Sequence, residues 1–104
     1  MENSLLLRDS ALTDAELLKM ADFLTAAGNR YRLRILFYLY EVRESFVIDI
    51  ADEIGLSQGT VSNHLILLYG AGLLNRRRKN NRVYYSLTEK GKDFVKFLMR
   101  FPCF

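Results

Sequence analysis

A mainly α-helical fold with a small β-hairpin is predicted for this 104-residue chain by three observations. Apolar residues recur at helical spacing behind recognisable caps. Only Leu56 and Ser57 separate a short helical pattern stopped by Gly55 from the next one, which is the helix-turn-helix arrangement. Finally, "LLNRRRKNNRVYYSL" reads as two strands around Asn80-Asn81, because Asn tolerates the positive φ that a two-residue turn demands.

The elements follow in order. Thr13-Asp14-Ala15-Glu16 has capping-box spacing, so a first helix starts there and carries Leu17, Leu18, Ala21, Phe23 and Leu24. Gly28 stops it and Asn29 caps a second helix from about Arg30 to Tyr40. In that helix Leu33, Leu36, Phe37 and Tyr40 fall on one stripe and predict the core side. Glu44 to Phe46 reads as a short strand. Val47 to Ile54 reads as a short helix with Ile50, Ala51 and Ile54 inward. Ser57 caps the following helix, whose core stripe is Val61, Leu65 and Leu68, and Gly70 and Gly72 end it. Leu73 to Lys79 and Arg82 to Leu87 are the hairpin strands. A last helix begins after Thr88 and stops at Pro102. The order α1-α2-β1-α3-α4-β2-β3-α5 is that of a winged helix-turn-helix with an extra helix at each end. Residues 1–12 are expected to be an N-terminal segment and 13–104 the domain.

The composition sets bounds. Half of the residues are hydrophobic, which excludes a disordered tail and supports one core. No apolar run approaches the roughly 20 residues of a membrane helix. "MENSLLLRDS" has a short apolar run and an acid among its first residues, unlike a secretory signal. The expected compartment is the cytoplasm. The single cysteine, Cys103, agrees with a reducing environment and makes no internal disulfide. No nucleophile elbow, phosphate loop or partnered carboxylate pair points to an enzyme, and no cofactor is implied.

Charge is unevenly spread. Residues 1–74 carry 6 basic and 10 acidic side chains, a net of −4, while residues 75–104 carry 9 and 2, a net of +7. One end therefore suits a polyanion. The hairpin concentrates this charge. A turn at Asn80-Asn81 sets Lys79 opposite Arg82, a like-charge pair that disfavours the hairpin unless something anionic sits between them. It also sets Arg77 opposite Tyr84, where the guanidinium can stack on the ring, with Val83, Tyr85 and Leu87 as the buried face.

The helix "SQGTVSNHLILLYG" points the same way. With its stripe inward, Gly59, Ser62 and Asn63 face out and Gln58 and Thr60 lie on the exposed first turn. These residues are short or hydrogen-bonding and uncharged, which fits base edges in a major groove better than bulk solvent. Gln58, Gly59, Thr60, Ser62 and Asn63 are thus the base-reading candidates. Ser57, His64, Arg77, Arg78, Lys79, Asn80, Asn81 and Arg82 are the candidates for backbone contact. His64 lies on the flank of the stripe, where a packed, hydrogen-bonded histidine is expected rather than a metal ligand. The end helices are more apolar than one small domain can bury. Leu17, Leu18, Phe23, Leu24, Phe94, Phe97, Leu98 and Phe101 are the expected dimer interface.

"RYRLRILFYL", "IADEIGLSQGTVSNHLILLYGAGLL" and "RVYYSLTEKG" resemble the ArsR/SmtB family of bacterial winged-helix repressors. The resemblance covers about residues 15–100. It implies a homodimer joined by the first and last helices, binding double-stranded DNA at imperfect palindromes. By position it makes Ser57 to Tyr69 the recognition helix and Arg78 to Arg82 the wing. Gly59 stands where many relatives have Pro. Phe46 and Ile48 stand where metal-sensing relatives have two cysteines, and the last helix has Asp93 but Val95 where a first His would be expected. Neither metal site of the family is present, so the resemblance implies a repressor while the residues imply independence from metal. The inducer is unnamed by the sequence. DNA binding without an effector, a small molecule or protein sensed by the helices, and a redox role for Cys103 all remain open, as does a protein-interaction module that has lost DNA recognition.

Overall fold

The computed structural model describes residues 12–102. The expectations for most of the N-terminal segment and for Cys103 lie outside them.

Helix α1 (Asp14–Ala27) opens with the expected reciprocal cap. The Thr13 hydroxyl accepts from the Glu16 amide at 3.1 Å, and the Glu16 carboxylate accepts from the Thr13 amide at 2.9 Å. The Asn29 side chain accepts from the amides of Tyr31 and Arg32 and starts α2 (Arg30–Val42).

The core side of α2 is Ile35, Leu36 and Leu39, all essentially inaccessible. This corrects the expected stripe: only Leu36 is shared, Leu33 and Tyr40 are half-buried, and Phe37 is 37% exposed. Apart from Arg32, the charged residues of α2 (Arg30, Arg34 and Glu41) share one face, and apolar or tyrosine side chains fill the rest, so the apolar stripe alone allows more than one rotation. Two arginines select one. Arg32 donates to the Ala26 carbonyl at 2.6 Å, and Arg34 donates to the carbonyls of Glu53 and Ile54 at 3.2 and 3.3 Å.

Strand β1 (Glu44–Phe46) runs directly into α3 (Val47–Ile54), which buries Ile50, Ala51 and Ile54 as predicted. The C-terminal carbonyls of α3 are the ones that Arg34 caps, which ties the first helix of the pair to α2. Gly55 ends α3 at φ 81°, a left-handed conformation that costs glycine little. Two residues later Ser57 accepts from the Thr60 amide and starts α4 (Gln58–Gly70). Val61, Leu65 and Leu68 are fully buried.

Strands β2 (Leu74–Lys79) and β3 (Arg82–Leu87) meet at Asn80 and Asn81, with φ 52° and 64°. Both positive values match a two-residue hairpin turn. The antiparallel sheet has the order β1-β3-β2. Helix α5 (Glu89–Arg100) returns from β3, capped by Thr88. The Thr88 hydroxyl accepts from the Gly91 amide and donates to the Gly72 carbonyl at 2.7 Å. A β-carbon on Gly91 would lie 2.3 Å from the Leu73 carbonyl oxygen, so glycine is required for α5 to sit this close to the chain entering β2. One cluster from α1 to α5 forms the core, with Leu73, Leu74, Tyr85, Leu87 and Val95 joining the helical residues.

Candidate nucleic-acid interface

Helix α4 presents the polar face that its spacing predicts. Gln58, Gly59, Thr60 and Asn63 are exposed and Ser62 is half-buried. Nothing lies within 4 Å of the place a Gly59 β-carbon would take. The Ser57 hydroxyl is occupied: it accepts from the Thr60 amide at 3.2 Å and donates to the Thr60 hydroxyl at 2.9 Å. Thr60 therefore keeps its own hydroxyl proton for a partner outside the protein.

His64 is held on the flank of α4, as the packing reading expected. Arg32 donates from Nη1 to Nδ1 at 3.1 Å, which places the ring proton on Nε2. Tyr31 stacks on the ring with centroids 6.2 Å apart. Burial first, and the Arg32 charge second, hold the imidazole below its ordinary pKa. A neutral ring offers a phosphate one N–H donor and no charge.

The hairpin divides its basic residues by strand alternation. Arg77 pairs with Tyr84 and Lys79 with Arg82, as the turn predicted, while Arg76 pairs with Tyr85 and Arg78 with Val83. Arg76 and Arg78 therefore share the sheet face of Tyr85 and Leu87, the face that packs on the helices. Arg77, Lys79 and Arg82 share the other. Arg76 stacks on Tyr69 of α4 at 4.7 Å, which fixes the wing against the recognition helix. Arg76 was not among the sequence candidates, yet register counted back from Asn80-Asn81 places it on the helix side.

On the other face Arg77 lies 5.2 Å from the Tyr84 ring centroid, as expected. It is also held by two hydrogen bonds to Glu44, which sequence spacing did not reveal. The fork is thereby neutralised at home, and Arg77 stands apart from the other backbone candidates. Arg82 stacks on Phe46 at 4.4 Å and stays exposed. Arg78, Lys79, Asn80 and Asn81 are exposed. Among the described salt bridges, those of the wing involve Arg77 alone.

The positions matching the family's cysteine site hold a ring and an aliphatic side chain. Phe46 meets Tyr84 edge-on at 5.6 Å, and Ile48 is 46% exposed. Neither side chain offers a ligand atom.

The end helices meet through Phe23 and Phe94, whose rings are 5.0 Å apart and nearly perpendicular. These two are half-buried within the chain, as is Leu98. Leu17, Leu18 and Leu24 of α1, with Phe97 and Phe101 at the end of α5, remain exposed. Met20 and Met99, not among the candidates, are further exposed apolar side chains on α1 and α5.

Comparison with known proteins agrees with this geometry. The model of a family described as bacterial regulatory protein, arsR family, matches residues 30–76. An uncharacterised HTH-type transcriptional regulator of Methanocaldococcus jannaschii is 33% identical over 81 residues, covering 77% of this chain and 91% of its own. The transcriptional activator HlyU of Vibrio cholerae is 34% identical over 86 residues, or 82% of this chain and 79% of its own. A solved HlyU structure from that organism superposes with a TM-score of 0.76 at 31% identity, covering 88% of this chain and all of its own. The solution structure of a homodimeric winged helix-turn-helix domain from Mycobacterium bovis gives 0.77 at 30% identity, covering 85% and 84%.

Proposed function

Because the chain belongs to the arsR family of bacterial regulatory proteins, and so is a DNA-binding transcriptional regulator with a winged helix-turn-helix fold, we propose that it acts as a homodimeric, metal-independent repressor reading a palindromic operator. The observation that carries this reading is the uncharged exposed face of α4, Gln58 to Asn63, beside a basic hairpin stacked onto the same helix through Arg76 and Tyr69.

The mechanism follows from shape and charge. Two copies of α4, related by a two-fold axis, enter successive major grooves about 34 Å apart. Gln58 and Asn63 have the amide geometry for bidentate bonds to adenine, and Thr60 and Ser62 bond any base edge. Arg78, Lys79 and Arg82 hold phosphates, which relieves the repulsion between Lys79 and Arg82 across the turn. Occupancy excludes polymerase from the promoter. The dimer is supported by the exposed apolar residues of α1 and α5 and by the homodimeric Mycobacterium bovis domain.

The metal-independent part rests on Phe46 and Ile48 in place of thiol ligands and on a last helix without histidine. Among the described residues, no three His, Cys, Asp or Glu side chains come together. No helix of the described chain is long and apolar enough to cross a membrane, and the repressor is proposed to work in the cytoplasm.

The test is selection from a random duplex library at about 0.15 M salt. Enrichment of a palindrome with half-site centres about 10 bp apart supports the dimeric reader. Weak, salt-sensitive binding without any enriched sequence overturns it.

A further inference from the structure

We propose that the cleft where α2, the root of the wing and α5 meet is a binding site for a small organic dianion, bound through Arg43, Lys92 and Lys96.

The cleft encloses about 590 Å³ and has Leu39 and Leu87 for an apolar floor. That volume falls within the range of small-molecule sites. Its charge is unbalanced: Arg43, Lys92 and Lys96 line it against Glu41 alone. Lys92 has a contact with Glu89 at 3.4 Å, with both side chains well exposed, so this pair neutralises little. Lys92 and Lys96 stand one turn apart on α5, where like charges repel. An anion between them and Arg43 removes that repulsion.

A second observation concerns Arg43 itself. Its backbone lies at φ 76°, ψ −46°, where residues other than glycine are strained. The strain persists because its amide donates to the Leu39 carbonyl at 2.9 Å and β1 follows at once. A strained residue whose guanidinium lines a cationic cleft is the arrangement of a ligand clamp. The chemistry selects the ligand class. A guanidinium offers a planar fork to a carboxylate or phosphate, two ammonium groups supply the remaining charge, and the apolar floor takes a short carbon skeleton.

The far wall of the cleft is the wing root. Asn75 of β2 and Ser86 of β3 line it, and they stand opposite one another in the sheet. On the same face β1 places Glu44 opposite Ser86, and that carboxylate holds Arg77. An occupant thus touches the strands that carry Arg78 and Lys79. Coupling to DNA rests on the regulator reading above; the binding step does not.

Calorimetric titration of the full chain with succinate, phenyl phosphate and inorganic phosphate, at ionic strength matched with chloride, tests the site without DNA. Saturable binding of succinate or phenyl phosphate, weakened at least tenfold in a Lys92→Gln/Lys96→Gln variant and unchanged in Lys19→Gln, supports it. No saturable binding by either organic dianion overturns it, and so does equal binding to the double variant. Arg43→Ala, on the other wall of the cleft, is expected to weaken binding similarly. A fivefold or larger change in affinity for the selected operator on adding the bound dianion, absent from the double variant, supports the coupling. An unchanged operator affinity overturns the coupling alone.

Discussion

Arg77 on β2 reaches across β3 to Glu44 on β1, with Nε 2.6 Å from Oε2 and Nη2 2.8 Å from Oε1. This two-pronged bond ties the outer strands of the sheet together over the Tyr84 ring, and it takes one arginine out of the wing's positive field. Replacing Glu44 with Gln removes a negative charge and releases the fork. Nonspecific DNA affinity is then expected to rise, and the plot of log K against log salt to steepen by up to about 0.9, the value of one phosphate contact. Fluorescence anisotropy across a salt series measures it. A slope that does not change would place Arg77 away from the DNA backbone.

Arg78 and Arg82 lie on opposite faces of the hairpin, and neither has an ion-pair partner among the described residues. Arg78→Ala and Arg82→Ala are each expected to weaken binding to operator and random DNA by the same factor and to flatten the salt slope by about 0.9. Arg77→Ala is expected to flatten it less, since its charge is already balanced by Glu44. Similar slopes for all three variants and the wild type would remove the wing from the interface.

Gln58 and Asn63 are exposed on α4, and among the described residues their side chains make no hydrogen bond within the protein. Gln58→Ala and Asn63→Ala are expected to cost about 1–3 kcal/mol at the base each reads, with little loss on random DNA. Selection repeated with each variant should show a relaxed preference at one symmetric pair of positions. Equal losses on operator and random duplexes would argue against base reading.

Stability should fall in two steps on acidification. The folded protein holds His64 below its ordinary value of 6.5, through burial first and Arg32 second, so the unfolded chain takes up this proton before the folded one. Stability therefore declines as pH drops from about 6.5 to the folded value. His64→Gln should flatten that step in urea titrations between about pH 7 and pH 5. Glu44 behaves alike at lower pH: the Arg77 bond holds its carboxyl below 4.5, and that contribution is lost as pH falls through the folded value. Glu44→Gln removes the second step and leaves the first.

The elements were readable in the sequence because their ends carry chemistry. Thr13, Asn29, Ser57 and Thr88 each cap through the side chain, and Asn80-Asn81 set the hairpin register to the residue. The rotation of α2 departs from the one its apolar stripe suggests, although Arg30, Arg34 and Glu41 share an exposed face opposite Leu39 that points to the observed one. Arg32 and Arg34 fix it through carbonyls of α1 and α3, and no local pattern marks such long-range partners. The same holds at the candidate site. The exposed face of α4 follows from its core stripe, whereas the Glu44–Arg77 pair spans two strands 33 positions apart. The Arg43–Lys92–Lys96 cleft joins segments about 50 residues apart in sequence, a separation over which periodicity says nothing.

The apolar surface of the end helices separates folding from assembly. Leu18 is 62% exposed and Phe97 57% exposed in the single chain. A charge at either position costs the isolated fold little, while at a dimer interface it must be desolvated without a partner. Leu18→Glu and Phe97→Glu are therefore expected to give folded monomers, with helical circular dichroism unchanged and the mass halved by light scattering. Operator affinity should drop by orders of magnitude, because each monomer keeps only one half-site, while binding to a single half-site stays near the wild-type monomer's level. Variants that remain dimeric would move the interface away from α1 and α5. Variants that unfold would show that the two helices are already needed by the single chain, a result that Phe23→Ala, which breaks the internal Phe23–Phe94 contact, is expected to give instead.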